Sequence, residues 1–369
     1  MRKGWEYKKL NEVCEKGASN IVINKLTDNS GEYPLFGASG LVKNIDFFHQ
    51  DKPYIGIVKD GAGVGRVNIY PAYSSLVGTM QYIFPKEGYS IDFIKYFLVK
   101  LDLSHCVSGA TIPHIYFKDY GKENIPTPSL DTQLAIVSEL DKINELIRLK
   151  KEQLKDFDNL AQSLFYEMFG DPVENEKGWE VKKLGELLKV IGGYAFKSDK
   201  YKDEGIPILR IGNINSGFFR DTNLVFAESD EKLEKYKIFP GDIVISLTGT
   251  VGKSDYGNVC IMDDAYNFYY LNQRNAKLEI FGNLDKYYLS AILKNEDIKS
   301  RLTSISRGVR QANIANKDIE NLQIPLPPLP LQQLFAHRIE QIEQQKAEVQ
   351  KAITDLETLL ASRMQYWFE

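Results

Sequence analysis

The chain is written twice. Gly4-Trp5-Glu6-Tyr7-Lys8-Lys9-Leu10 returns as Gly178-Trp179-Glu180-Val181-Lys182-Lys183-Leu184, and Ile125-Pro126-Thr127-Pro128-Ser129-Leu130 returns as Ile324-Pro325-Leu326-Pro327-Pro328-Leu329. A long stretch of helical pattern follows each proline run. The order is therefore globule, helix, globule, helix, over residues 1–129, 130–170, 171–328 and 329–369. Duplication on this scale predicts a pseudo-two-fold molecule, which suits a target with two separate halves.

In the first helical stretch Leu140, Ile143, Ile147, Lys150, Leu154, Phe157, Ala161, Leu164 and Met168 recur at alternating spacings of three and four, a heptad seam. Gly170-Asp171-Pro172 ends it, because glycine suits a left-handed cap and proline cannot continue a helix. The second copy offers Phe335, Ile339, Ile342, Lys346, Val349, Ile353, Leu356, Leu360 and Trp367. The helix-pairing set is Leu140, Ile147, Leu154, Phe157 and Leu164 against Ile342, Val349, Ile353, Leu356 and Leu360. Lys150 and Lys346 occupy seam positions, as snorkelling lysines or as polar contacts that set the register.

Parallel pairing would oblige the second globule to begin at the far end of a helix roughly 58 Å long and finish at the near end. The linker over 170–177 reaches at most about 28 Å. Antiparallel pairing removes the strain, since each globule then begins where the other's helix ends. The expected fold class is α+β: two pseudo-two-fold related globular α/β domains separated by two long helices that form an antiparallel coiled coil.

Short apolar runs such as Tyr54-Ile55-Gly56-Ile57-Val58 and Asp242-Ile243-Val244-Ile245-Ser246 read as strands between loops rich in Gly, Asn and Asp. Helical patterns at Ile91–Leu98 and Leu284–Leu289 occupy matching places in the two copies. Val64-Gly65-Arg66 matches Val251-Gly252-Lys253, and Met80-Gln81 matches Asn272-Gln273. Gly109-Ala110-Thr111-Ile112-Pro113-His114-Ile115 matches Gly308-Val309-Arg310-Gln311-Ala312-Asn313-Ile314, and Lys118-Asp119 matches Lys317-Asp318. The spacing between these anchors differs, which is the pattern of one scaffold carrying two different surfaces.

Several chemistries are excluded. Asp60-Gly61-Ala62-Gly63-Val64-Gly65-Arg66 lacks the Gly-Lys-Ser/Thr of a phosphate-binding loop and no strong helix follows it, so it reads as a turn that lets backbone approach another surface. His49, His105, His114 and His337 show no metal-ligand spacing, and Cys14, Cys106 and Cys260 form no Cys-x-x-Cys, so no metal site is expected. There is no Gly-x-Ser-x-Gly elbow. Pro327-Pro328 has no Asn or Asp before it and no aromatic after it, unlike the catalytic loop of an adenine methyltransferase. No catalytic residue is assigned. No apolar run approaches the roughly eighteen residues of a membrane span, and Met1–Glu6 has no signal-peptide core. A cytoplasmic, membrane-free protein is expected.

Net charge is −4, which at first argues against nucleic acid. The acid surplus lies on the helices, however: residues 130–170 carry 5 basic and 8 acidic side chains, whereas residues 1–129 carry 15 and 13. A near-neutral globule can still present a basic face.

Taken together these residues resemble the specificity (S) subunit of a type I DNA restriction-modification system, over nearly the whole chain. The resemblance rests on Gly178-Trp179-Glu180 opening a repeat and on Phe196-Lys197-Ser198 with Tyr201, Gly205, Pro207 and Arg210. It rests also on Gly109–Ile115 and on the Ile-Pro-x-Pro-x-Leu helix starts that lead to Gln133 and Gln332. The first globule departs from the pattern in lacking a clean Phe-Lys-Ser segment. The resemblance implies a non-catalytic subunit with two target recognition domains, each reading one half of a bipartite double-stranded DNA site. The helices would set the spacing and dock two modification (methyltransferase) subunits. No cofactor is expected on this chain, because S-adenosylmethionine would sit on the methyltransferase partner. Restriction subunits are a further partner. A stiff coil is suited to holding two readers about one helical turn of DNA apart, roughly 34 Å.

Base reading in the major groove favours side chains that form bidentate hydrogen bonds. The candidate DNA-binding residues are Lys59, Arg66, Gln81, Thr111, His114 and Lys118 in the first globule. In the second they are Lys197, Lys253, Gln273, Arg274, Arg307, Arg310 and Asn313. Gln81 and Gln273 sit at matched positions and also fit a framework role. Two alternatives compete. A stand-alone DNA-modification enzyme would need a cofactor loop that is not found. A coiled-coil scaffold with no DNA role would have no use for tandem readers with diverged loops.

Overall fold

The computed structural model describes residues 5–109, 111–251, 253, 255–304 and 311–369. Contacts divide the chain into two compact units, residues 1–152 with 349–369, and residues 153–348. Each unit thus holds one globule and one half of each long helix. Among the described residues no helix is long and apolar enough to cross a membrane.

In the first unit strand Tyr54–Val58 is buried at every position, as an apolar run covered on both faces should be. It pairs antiparallel with Val67–Tyr70 on one side and Met80–Pro85 on the other, and Cys14–Ala18 lies outside Met80–Pro85. One face packs Ile55, Ile57 and Ile83 on Phe93, Ile94 and Phe97 of helix Ile91–Leu101. The other packs Tyr54, Val58 and Tyr82 on Leu35 and Leu76. Those two residues belong to a smaller sheet in which Tyr33–Gly37 pairs antiparallel with Gly40–Ile45 and parallel with Ser75–Leu76.

The second unit repeats the strand order of the main sheet and the central pairings of the smaller one, and adds strand Lys237–Ile238 beside Tyr269–Leu271 and the pair Thr248–Thr250 with Gln311–Asn313. Ile243–Ser246, also buried throughout, lies between Asn275–Ile280 and Val259–Ile261, with Leu188–Gly192 beyond Asn275–Ile280. In the smaller sheet Ile206–Leu209 pairs antiparallel with Phe226–Ala227 and parallel with Tyr269–Leu271. Helix Lys286–Lys294 replaces Ile91–Leu101 beneath the main sheet. The duplication read from the sequence is a duplication of fold.

The repeated motifs are partners of each other. Tyr7–Lys9 pairs antiparallel with Asn124–Pro126, and Glu180–Lys183 with Gln323–Leu326, so the segments after Trp5 and Trp179 join the Ile-Pro segments to close each globule as a two-stranded clasp. The tryptophans finish the helices. Trp5 stacks on Trp367 in the last turn of the helix Leu329–Phe368, with ring centroids 6.0 Å apart. Trp179 donates its indole N–H to Phe169 O at 2.8 Å, at the end of the helix Leu130–Phe169. Lys177 Nζ donates to Glu167 O and Met168 O, so three otherwise orphaned carbonyls are satisfied. Gly170 ends that helix at φ +76°, a conformation costly for any residue with a Cβ.

Each long helix starts on a buried glutamine. Gln133 Nε2 donates to Pro128 O and Gly88 O, and its Oε1 accepts from Ser90 N, the N-cap of Ile91–Leu101. Gln332 Nε2 donates to Pro327 O and Asn283 O, and its Oε1 accepts from Asp285 N, the N-cap of Lys286–Lys294.

Within each unit the two helices run antiparallel. Arg363 pairs with Glu139 and Lys151 with Glu357 in the first unit. In the second, Lys346 pairs with Asp158 at 2.8 Å, and Phe335 meets Phe165. Of the expected seam, Leu140, Ile147, Leu164, Ile342, Val349 and Ile353 are buried, while Leu154, Phe157, Leu356 and Leu360 are half-buried. Leu140, Met364 and Phe368 share a core with the first globule, and Leu164, Phe335 and Ile342 with the second. Lys150 is half-buried. Lys346 is half-buried and bridges Asp158 and Glu343; burial opposes its charge, but these two carboxylates outweigh it and raise its pKa.

Candidate nucleic-acid interface

In the first unit two loops cross at the end of strand Tyr54–Val58. Gly61 N donates to Pro113 O at 2.9 Å and Ile115 N to Lys59 O at 2.9 Å, while Ser108 and His114 exchange backbone hydrogen bonds at 2.9 and 2.8 Å. This weave brings Lys59, Arg66, Thr111 and His114 to one rim. Gly61, Gly63 and Gly65 all have φ near +85°, which turns the loop back so that Arg66 folds over it. The guanidinium donates to Ala62 O and Gly63 O. The glycine-rich segment therefore aims carbonyls inward at its own arginine and does not form an N–H cradle for phosphate. Lys59 is half-buried and pairs with Asp60 at 3.6 Å. Thr111 is exposed. His114 Nδ1 lies 3.1 Å from Ile112 O, and its ring meets Tyr116 edge-on. Lys118, exposed, sits over the same tyrosine at 5.1 Å, an amphipathic cation–aromatic edge. Gln81 stands apart from the rim, because its Oε1 accepts the hydroxyl of the fully buried Tyr120 at 2.7 Å. It is engaged as framework.

In the second unit Gln273 and Arg274 occupy the turn between Tyr269–Leu271 and Asn275–Ile280, and both are exposed. The turn is fixed from both sides: Gln273 N donates to Tyr194 O at 2.9 Å and Leu247 N to Arg274 O at 2.8 Å. Beside it Thr248–Thr250 pairs antiparallel with Gln311–Asn313, matching Thr248 to Asn313. Asn313 is exposed on that edge, and Lys253 in the turn beyond it. Arg274, Thr248, Gly249, Thr250, Asp255, Asn215 and Ile211 line an open cleft of about 330 Å³. Asp255 accepts from the backbone N and from the hydroxyl of Thr250, both at 2.8 Å. The hydrogen bond from the Thr250 backbone leads the causes that hold its pKa low. Arg307 and Arg310 lie outside the described residues.

Lys197 is exposed, but its neighbours face inward: Phe196, Tyr201 and Ile206 pack on Ile208 and Tyr270. Arg210 donates to Asn223 O and lies over the Tyr201 ring at 5.8 Å. The Phe-Lys-Ser motif thus builds the smaller sheet and leaves one lysine outward. Sequence reasoning missed Asn215, Thr248, Thr250 and Asp255; Thr250 and Asp255 meet in a local turn, and the fold brings Asn215 and Arg274 to them. It also missed Arg220, which sits 4.9 Å over the exposed Phe218 ring. The closeness of Arg220 to Phe218 in sequence was an available signal.

The chain matches the family model described as "Type I restriction modification DNA specificity domain" over residues 2–156 and 176–358. It is 26% identical over 329 residues to the type I restriction enzyme MjaVIII specificity subunit of Methanocaldococcus jannaschii, covering 82% of this chain and 76% of that one. It is 27% identical over 187 residues to the EcoKI specificity subunit of Escherichia coli, covering 47% and 39%. Among solved structures, the type I restriction-modification S subunit from M. genitalium superposes with a TM-score of 0.59 at 17% identity, covering 99% of this chain and 96% of that one. That likeness establishes a shared fold.

Proposed function

The chain belongs to the type I restriction-modification DNA specificity family, and from that premise we propose how its two units divide the work. Each globule reads one half of a bipartite DNA sequence. The chain itself is non-catalytic and delivers site choice to subunits that act on DNA. The observation that carries this reading is one main-sheet topology, repeated in both units, with different side chains at matching rims. In the first unit the rim is Arg66, Thr111 and His114, and in the second it is Arg274, Lys253 and Asn313. Cationic and amide side chains on rigid strand ends suit base edges and phosphates.

Two methyltransferase subunits, one per unit, follow from the duplication, with S-adenosylmethionine carried by those partners. Leu134 and Leu146 are exposed on the first long helix and line a shallow groove with Val137, which supports protein docking there. Restriction subunits would join the same assembly. The test is to co-express the chain with its methyltransferase subunit and map methylated adenines across a genome. A split motif with a fixed gap is the expected result. A continuous motif, or methyl transfer by the purified chain alone, would defeat the reading.

A further inference from the structure

We infer that His105, Cys106 and Glu123 form a divalent-cation site, suited to Zn2+, at the base of the loop that carries Thr111 and His114. The proposal is independent of DNA reading. Sequence spacing gave no hint of it, because the third ligand comes from a separate segment that the fold brings back.

The donor atoms lie within 4.8 Å of one another. His105 Nε2 and Glu123 Oε1 are 3.3 Å apart. Bonds of about 2.0–2.1 Å to a tetrahedral Zn2+ place its nitrogen and oxygen donors roughly 3.3 Å apart, so this edge of the tetrahedron is already set. The sulfur has only to turn inward. Nitrogen, thiolate and carboxylate together make a donor set for a borderline cation, with solvent as the fourth ligand.

The histidine is oriented for this task. Its Nδ1 lies 2.8 Å from Asp102 O. A carbonyl can only accept, so Nδ1 carries a proton and Nε2 is the nitrogen that faces the Glu123 carboxylate. Nε2 and the carboxylate oxygen at 3.3 Å hold a positive charge between them. A proton supplies it in a plain His–Glu pair, and a metal ion supplies it when Cys106 joins. An outer hydrogen bond from the far ring nitrogen to a backbone carbonyl is the usual support of a ligating histidine.

Both ligand segments are anchored. Asp102, at φ +48°, accepts from Ser104 N and starts the turn Leu103–Cys106. Glu123 precedes strand Asn124–Pro126, and its carbonyl accepts from Leu10 N at 2.9 Å. Cys106 is half-buried, whereas Cys14 and Cys260 are buried in the cores. In the second repeat, aligned on Gly109 with Gly308 and Lys118 with Lys317, the three positions are Ser304, Ile305 and Leu322. All three ligands are absent together from that copy. Two residues beyond Cys106, Ser108 begins the hydrogen-bonded loop to His114, so a bound ion clamps the loop's stem.

The full-length chain, stripped with a chelator, should be titrated with Co2+ as a spectroscopic stand-in. The expected result is a thiolate-to-cobalt charge-transfer band that saturates at one ion per chain. Cys106→Ser should abolish it, and Glu123→Gln should weaken binding by about tenfold or more. Zn2+ should also shield Cys106 from maleimide, with Cys14 and Cys260 unreactive throughout, and should slow amide exchange of Ser108 and His114. Unchanged exchange at Ile55 and Ile57 in each variant verifies that the first unit is folded. A wild-type chain that gives no thiolate band, a band that survives Cys106→Ser, or a Cys106 that Zn2+ leaves fully reactive would each reduce the cluster to a His–Glu ion pair.

Discussion

Gln332→Leu tests whether one buried amide fastens a long helix to its globule. The substitution nearly conserves volume, so little cavity forms, and the change isolates hydrogen bonding. Wild-type Gln332, fully buried, donates to Pro327 O at 2.7 Å and Asn283 O at 3.3 Å and accepts from Asp285 N at 2.8 Å. Each bond contributes about 0.5–1.5 kcal/mol net, and leaving the backbone partners unsatisfied pushes toward the upper half, so the expected cost is about 3 kcal/mol. A chain of two units does not unfold in two states, so a single melting temperature is a poor readout. Residue-resolved hydrogen exchange is the right one. The Asp285 amide loses its acceptor, and a local opening energy lowered by about 3 kcal/mol speeds its exchange on the order of a hundredfold. Tyr287 and Tyr288, whose amides bond to Asp285 Oδ1, should follow. Gln133→Leu should do the same to the Ser90 amide. Exchange at Asp285 within about threefold of wild type would refute the reasoning, because it would mean that three buried bonds of good geometry hold nothing.

Three further expectations follow from the same structure. Arg274→Ala should cost about 1–3 kcal/mol in DNA binding, reduce the salt slope by about one and alter only one half of the methylated motif; an unchanged motif and affinity would remove Arg274 from the interface. Gly63→Ala should destabilise the first unit's rim by about 1–2 kcal/mol through its φ of +86° alone, and more through the Cβ that would fall 1.7 Å from Arg66 Nη2; faster exchange of the Gly61 amide checks it. Glu139 accepts from Arg363 and from the Trp367 indole, and the arginine bond is the first cause that holds its carboxyl below the usual glutamate range. A lowered folded pKa makes this contribution complete above the ordinary glutamate pKa and lost as pH falls through the lowered value. The acid limb of the first unit's stability should therefore flatten in Glu139→Gln, as read by hydrogen exchange of the Trp367 indole N–H across the acid range.

The repeats fixed more than expected from so short a motif. Tyr7–Lys9 and Glu180–Lys183 stand at the opposite end of each globule in sequence from the Ile-Pro segments, yet they pair with them as strands, and the tryptophan that precedes each covers a helix end. Helix seams were equally legible, since burial at a period of three and four residues leaves an apolar stripe whatever the partner is. The seam lysine Lys346 was visible as an anomaly, but its carboxylate partner Asp158 lies on the other helix and only antiparallel packing supplies it.

The rims were read by residue type, and type does not tell an outward side chain from an engaged one. Gln81 and Arg274 are both good base readers on paper; a strand register turns the first toward Tyr120 and a tight turn leaves the second in solvent. Asn215 and Arg274 reach the Thr248–Asp255 turn only through the fold, and Glu123 reaches His105 and Cys106 only after the clasp strand returns. The sequence by itself determined the duplication and the long helices, because each is carried by local periodicity or by repeated spelling, while the kind of partner was an expectation drawn from the family resemblance. Tertiary structure alone decided which polar groups face outward and which distant ones converge, because those outcomes depend on pairing between segments whose separation along the chain leaves no local trace.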